Sequence, residues 1–173
     1  VKKNYKDFLT ATEKPTFSHT LLKDYVFKHL SKDRGTLLVV IDNLRLDQFR
    51  ILEPFLNRHY KKEEEHSYFS ILPTATQYAR NAIFSGLMPS EMEKMYPQYW
   101  KNDVDEGGKN LFENEFLTTQ IKRLNLDINH EYYKITNLKN GKELAENYNA
   151  TKQNDLTVVV YNFVDMLSHA KTE

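Results

Sequence analysis

Thr36-Leu-Leu-Val-Val-Ile41 is a continuous run of β-branched and aliphatic residues in a chain whose apolar positions otherwise recur mostly at helical spacing. With Gly35 before it and Asp42-Asn43 after it, the run predicts a strand buried on both faces, as in a parallel sheet. Upstream, Leu21, Leu22, Tyr25, Val26 and Leu30 follow Pro15 and an N-capping Ser18, which predicts helices over roughly 3–12 and 18–31. This segment, 1–31, suits a helical connector to an upstream domain or a covering layer of the main domain, 32–173. Downstream, Leu46, Phe49, Leu52 and Phe55 predict a helix, followed by a strand over 66–72, a helix over 76–85 and another over 111–124. A strand over 131–135, a short helix over 138–148 and a last strand over 156–163 complete the pattern. The stretch 89–110, with Pro89, Pro97 and Gly107-Gly108, has no period and predicts a long functional or capping loop, within a cap spanning 89–135. The Lys61–Glu65 charge run predicts a solvated turn. Alternating strands and helices give the fold class as α/β, with a mainly parallel sheet flanked by helices.

Composition narrows the function without choosing it. A 173-residue chain with 40% hydrophobic and 28% charged residues is an ordinary globular domain. Its 24 basic and 24 acidic residues cancel, which argues against a broad nucleic-acid-coating surface and requires any anion to be bound at a local site. With no cysteine, a disulfide framework and a thiolate zinc cage are excluded, so a metal would need carboxylate, imidazole and hydroxyl ligands. The same absence favours a reducing, cytoplasmic setting. The apolar runs Leu37–Ile41 and Val158–Val160 are too short to span a bilayer. A chain that starts at Val1 and stops at Glu173, directly behind a motif, is expected to be a piece of a longer protein.

Ligands of open parallel sheets gather beyond the carboxyl ends of the strands. Three predicted exits hold reactive groups: Asp42, then Pro73-Thr-Ala-Thr76, then Asp165 with His169 four residues on. Each alone has a plainer explanation. An Asp after a strand serves as a cap or turn residue, Pro-Thr-x-Thr as a helix N-cap, and Asp-x-x-x-His as an accident of a surface helix. Together, they supply oxygen and imidazole ligands around a hydroxyl, the parts of a two-metal site that clamps a phosphate. In that arrangement Asp42 binds one metal, which lowers the pKa of the Thr76 hydroxyl and is ligated by its oxygen. Asp165 and His169 hold the second, and a helix starting at Thr76 favours phosphoryl charge.

In this order, Val-Val-Ile-Asp42-Asn, Leu-Pro-Thr-Ala-Thr76 with Gly86 ten residues on, and Asp165-Met-Leu-Ser-His169 resemble the alkaline phosphatase superfamily. Asp42-Asn-Leu-Arg-Leu-Asp47-Gln, Thr76-Gln-Tyr-Ala-Arg80 and Tyr161-Asn-Phe-Val-Asp165 are similar to its PglZ branch, as found in the effector half of PorX-type response regulators. The resemblance covers roughly 36–170. It implies an incomplete alkaline-phosphatase-like core and a two-zinc phosphodiesterase acting on nucleotides or oligonucleotides. It further implies an upstream receiver domain, a link to type IX secretion, and a second copy of the chain as an admissible partner. By the resemblance, Thr76 rather than Thr74 is the nucleophile, and Asp42, Thr76, Asp165 and His169 are metal ligands. Arg80, one turn into the helix, is the candidate phosphate-binding residue, with an ion-pair role as its alternative. Arg45 and Asp47 are expected to shape or cap the loop.

The superfamily completes its site with an Asp-His pair and a later His, whereas this chain has no Asp-His dipeptide. His19, His29, His59, His66 and His130 precede the required place and are expected at the surface or in packing. The chain alone is therefore expected to be inactive. Oxygen and imidazole ligation suits zinc or manganese, and the resemblance points to zinc. Rival readings are a catalytically silent regulatory or dimerisation module of the same fold, and a flavodoxin-like domain whose Asp42 binds Mg2+. A dinucleotide site lacks its Gly-rich turn after the first strand.

Overall fold

The structure, a computed structural model, describes residues 4–12, 14–100, 110–151 and 153–162. Its elements run α1 (Tyr5–Thr10), α2 (Leu21–Tyr25), a 3-10 turn (Phe27–His29), β1 (Thr36–Ile41), α3 (Leu46–Leu56), α4 (Thr76–Ser85) and α5 (Pro89–Met95). Then come α6 (Glu113–Arg123), β2 (His130–Ile135), α7 (Leu138–Glu146), α8 (Tyr148–Thr151) and β3 (Leu156–Tyr161). They form two compact units, Val1–Lys28 with His66–Asp127, and His29–Glu65 with Ile128–Glu173. No helix among the described residues is long and apolar enough to cross a membrane.

The sheet unit is α/β, with its three strands parallel in the order β1-β3-β2. Ile41 and Ile135 both lie opposite Tyr161, so the carboxyl ends of all three strands align. The central strand is the one buried on both faces, with Leu156, Thr157, Val158, Val159 and Val160 all in the core. The expectation of two buried faces for 36–41 is corrected, since burial alternates along β1 and leaves Leu37, Val39 and Ile41 39%, 45% and 37% exposed. Successive side chains of a strand point to opposite faces, and only one face of β1 is packed. At the amino edge, Asn129 N–H donates to Asp155 Oδ2 at 2.9 Å, while Asp155 N–H donates to Asn129 Oδ1 at 2.7 Å. The Asn129 amide, joined by Lys32 at 3.1 Å, holds the Asp155 carboxyl below the usual range.

Helix α3 buries no residue, and Ile51, Leu52, Phe55 and Leu56 are exposed along it. The 61–65 charge run is solvated as expected, and Lys62 and Glu65 fold back to pair with Glu53 and Arg50 on α3. Such exposed pairs contribute little to stability.

In the helical unit, α4 packs on α6. Gln77, Arg80, Asn81 and Phe84 recur at helical spacing on the buried side of α4, as do Glu113, Phe116, Leu117, Gln120 and Ile121 on α6. Phe17, Leu22 and Ile71 complete this core. The expected helix over 18–31 is divided into α2 and the 3-10 turn, which allows both Leu22 and Phe27 to be buried. The expected strand over 66–72 is also corrected. Only an isolated bridge, Phe17 to Phe69, forms there. The backbone of this stretch is satisfied instead by Thr16 O, Ser18 N–H and the Ser18 hydroxyl, and residues 66–69 remain exposed. Part of the expected loop over 89–110 is helical, because Pro89 occupies the first helical position and Glu91 accepts a hydrogen bond from Met88 N–H at 2.7 Å.

Gly86 closes α4 with φ +64, and a Cβ there would run into the Gln120 amide. Gly86→Ala is therefore expected to destabilise the protein by about 1–3 kcal/mol, measured by denaturant unfolding. His19 stacks on Phe17 at 6.0 Å, and burial, with Lys14 adding to it, lowers its pKa below 6.5. The fold thus favours neutral imidazole, so this stabilisation is present above pH 6.5 and is lost as pH falls through the depressed value. In His19→Phe, stability should decline less steeply between about pH 7.5 and about pH 5.5 than in wild type, as read by urea midpoints.

Candidate functional site

Asp42 directly follows β1, and its backbone N–H donates to Tyr161 O at 3.0 Å, extending the ladder by one residue. On the other side of β3, Asn162 N–H donates to Ile135 O at 2.9 Å. Asp42 and Asn162 therefore leave the sheet at the same carboxyl edge. Asn43 then turns the chain with φ 60, a left-handed conformation that Asn tolerates better than most residues. The predicted metal ligands Asp165 and His169 lie outside the described residues. As a donor set, Asp42 with an Asp and a His suits a divalent cation with oxygen and imidazole preference. Among the described residues alone, no three His, Asp or Glu side chains gather as a metal group.

Thr76 belongs to the helical unit, where it opens α4 and is exposed, as is Thr74. The N-cap is Ala75, which has no side-chain oxygen, and its carbonyl accepts hydrogen bonds from Tyr78 and Ala79 N–H, both at 2.9 Å. The candidate nucleophile thus stands at the end of the helix where amide donors point outward.

Arg80 is 5% exposed, and its Nε donates to the carboxylate of Glu113, itself 1% exposed. This ion pair bridges α4 and α6 in the interior, so the ion-pair alternative for Arg80 is realised, though inside the unit rather than at its surface. Arg45 and Asp47 form an exposed two-pronged pair, Nε to Oδ1 at 3.0 Å and Nη2 to Oδ2 at 2.8 Å. The Arg45 guanidinium lowers the Asp47 carboxyl to about 2, and Arg45 N–H donates to Gln48 Oε1 at 3.0 Å, as a loop-shaping role requires. His19 and His66 stack on Phe17 and Tyr25 respectively.

Two residues of this region were not singled out from sequence. Gln77 follows Thr76 and is 7% exposed, and its Nε2 is buried without a hydrogen-bond partner. Its spacing of three from Arg80 placed both on one helical face, the signal that could have found it. Glu113 stands in the acidic first turn of α6 beside Glu115, and nothing local distinguishes the buried carboxylate from its neighbour.

Residues 21–173 match the family described as the BREX system PglZ alkaline phosphatase-like domain. No curated protein shows a significant match to the chain.

Removing one partner of a buried ion pair takes away compensation that the other charge needs in the interior. Glu113→Ala should therefore cost about 3–5 kcal/mol, while Arg80→Met with Glu113→Leu should recover most of that loss. Thermal melts of the single and double variants measure the difference, and equal losses in both would remove the ion pair from the account.

Proposed function

Since the chain belongs to the PglZ alkaline phosphatase-like family, we propose that it supplies the nucleophile and metal ligands of a phosphodiesterase acting on nucleotides or oligonucleotides. The alkaline-phosphatase-like family is one of phosphoesterase-type folds, and the observation that favours this reading is the placement of Thr76 at the uncapped N-terminus of α4. Thr76 Oγ attacks phosphorus, the Oγ–P bond forms, and the bond to the leaving oxygen breaks. The departing oxygen takes up the proton that Thr76 gives up and leaves as an alcohol, and water then cleaves the bond between phosphorus and Thr76 Oγ, releasing the phosphomonoester and restoring the hydroxyl. Backbone N–H groups of the first turn of α4 orient the phosphoryl oxygens and offset the charge that builds on them. Arg80, one turn into α4 and paired with Glu113 through Nε, is proposed as the phosphate-binding residue.

Asp42, Asp165 and His169, with the Thr76 oxygen, are the residues that would hold the metal ions, zinc by resemblance. Bound there, such ions would acidify the Thr76 hydroxyl and offset charge on the leaving oxygen. The same resemblance leads us to propose a response-regulator effector with a receiver domain upstream, a cytoplasmic location and a role in type IX secretion. A second reading, a catalytically silent regulatory or dimerisation module, is favoured by the exposed apolar row Ile51, Leu52, Phe55 and Leu56 on α3.

The full-length protein with zinc, assayed on bis-p-nitrophenyl phosphate and short oligonucleotides, should lose more than about 10³-fold of its turnover in Thr76→Val. Its metal content should change little, because Asp42, Asp165 and His169 remain. Unchanged turnover removes Thr76 as nucleophile, and an inactive wild type that dimerises supports the silent module instead.

A further inference from the structure

No regular strand leads into α4, and the chain ahead of it is held by single hydrogen bonds. Phe69 N–H donates to Thr16 O at 2.9 Å, Ser18 N–H donates to Phe69 O at 3.1 Å, and Ile71 N–H donates to the Ser18 hydroxyl at 3.2 Å. The next donor is Leu72 N–H, which reaches the hydroxyl oxygen of Tyr5 at 2.9 Å across 67 positions of sequence. Pro73 has no N–H, so Leu72 is the final backbone donor ahead of Thr74-Ala75-Thr76. Tyr5 is itself held. Its ring meets Phe17 edge to face at 5.9 Å, and Phe17 is fully buried. Phe8, on the same face of α1 and one turn on, meets Phe69 at 6.2 Å. A six-residue helix is marginal on its own in water, so these ring contacts keep α1 in place and the Tyr5 hydroxyl at Leu72.

We infer that Tyr5 is a positioning residue for phosphoryl transfer, its hydroxyl oxygen fixing Leu72 and Leu72 fixing the approach of the chain to Thr76. The inference rests on the reading of Thr76 as the nucleophile. Behind Thr76, α4 is anchored by Arg80 on Glu113 and by Arg123 on Ser85 O. Ahead of it, Leu72, Pro73, Thr74 and Ala75 are all exposed, as is Thr76, so packing restrains them little and a tie at Leu72 counts for more. A nucleophile has to stay in line with the phosphorus it attacks, and a displacement of about 1 Å can cost about 10²-fold in rate. The part of Tyr5 is geometric, and no proton or electron pair passes through it. A hydroxyl that served only to secure α1 would show itself in stability, and not in kcat at constant KM.

The test compares wild type, Tyr5→Phe, Phe8→Leu and Thr76→Val in the full-length zinc protein on bis-p-nitrophenyl phosphate. Tyr5→Phe keeps the ring against Phe17 and removes the acceptor of Leu72 N–H. Its kcat should fall about 5–50-fold with KM within about twofold, while its melting temperature drops by less than about 3 °C. Phe8→Leu loosens α1 and leaves the hydroxyl in place. Its melting temperature should drop at least as far, with kcat within about twofold of wild type. Wild-type kcat in Tyr5→Phe, with Thr76→Val inactive, overturns the role of Tyr5 and leaves the nucleophile standing. Equal kcat losses in Tyr5→Phe and Phe8→Leu trace the effect to the attachment of α1 and overturn that role as well. An active Thr76→Val overturns the nucleophile, and the inference with it. Should wild type show no turnover, amide hydrogen exchange decides. The 72–77 segment must then exchange faster in Tyr5→Phe than in wild type while α6 is unchanged, and equal exchange rejects the inference.

Discussion

The carboxyl edge of the sheet exists because Leu156–Val160 is buried on both faces between two parallel partners. Each of its four aliphatic side chains contributes about 1.5–3 kcal/mol on leaving water, and the ladders to β1 and β2 pair its backbone on both sides. Parallel register then does the rest. With Ile41 and Ile135 opposite the same residue, Tyr161, the chain after β1 and the chain after β3 leave at one level. A slip of one residue in β3 would turn its valines to the other face and carry Asp42 away from Asn162.

The helical unit is organised by a polar contact inside an apolar interface. Phe84, Phe116, Leu117 and Ile121 supply the area of the α4–α6 contact, yet they would tolerate more than one rotation of α4. Arg80 and Glu113 are less permissive, because a buried charge must meet its partner at hydrogen-bond distance. At the other end of α4, Arg123 donates to Ser85 O, and Gly86 turns away in a left-handed conformation against the Gln120 side chain. Fixed at its middle and its end, α4 presents its first turn, with Thr76, in a defined direction. Through Glu113, Arg80 holds α4 against α6 independently of any contact with phosphate.

The α4 start departs from what helix stability alone would select. Ala75 provides no cap where Ser, Thr, Asp or Asn would stabilise the helix by about 1 kcal/mol. Gln77 holds an amide out of water with nothing to receive its hydrogen. The uncapped end is the one that carries Thr76, the residue proposed as nucleophile.

The sequence by itself determined what is local. The Thr36–Ile41 strand, the helix from Thr76 to Ser85 and the strand starting at Leu156 follow from apolar runs, spacing and the Gly86 stop. The ordered residues Asp42, Thr76 and Asp165-x-x-x-His169 were read from motif order, which needs no coordinates, and Asp165 and His169 lie outside the described residues. Tertiary structure decided what depends on distant neighbours. Burial on both faces went to β3 rather than β1, because centrality in a sheet is a property of pairing and not of composition. The 66–72 stretch gave up its strand because Thr16 and Ser18, some fifty residues away in the chain, met its backbone groups. The partner of Arg80 was hidden for the same reason. Helical spacing placed Arg80 on a face, but only the packing of α6 against that face selected Glu113 from the acidic residues of its first turn.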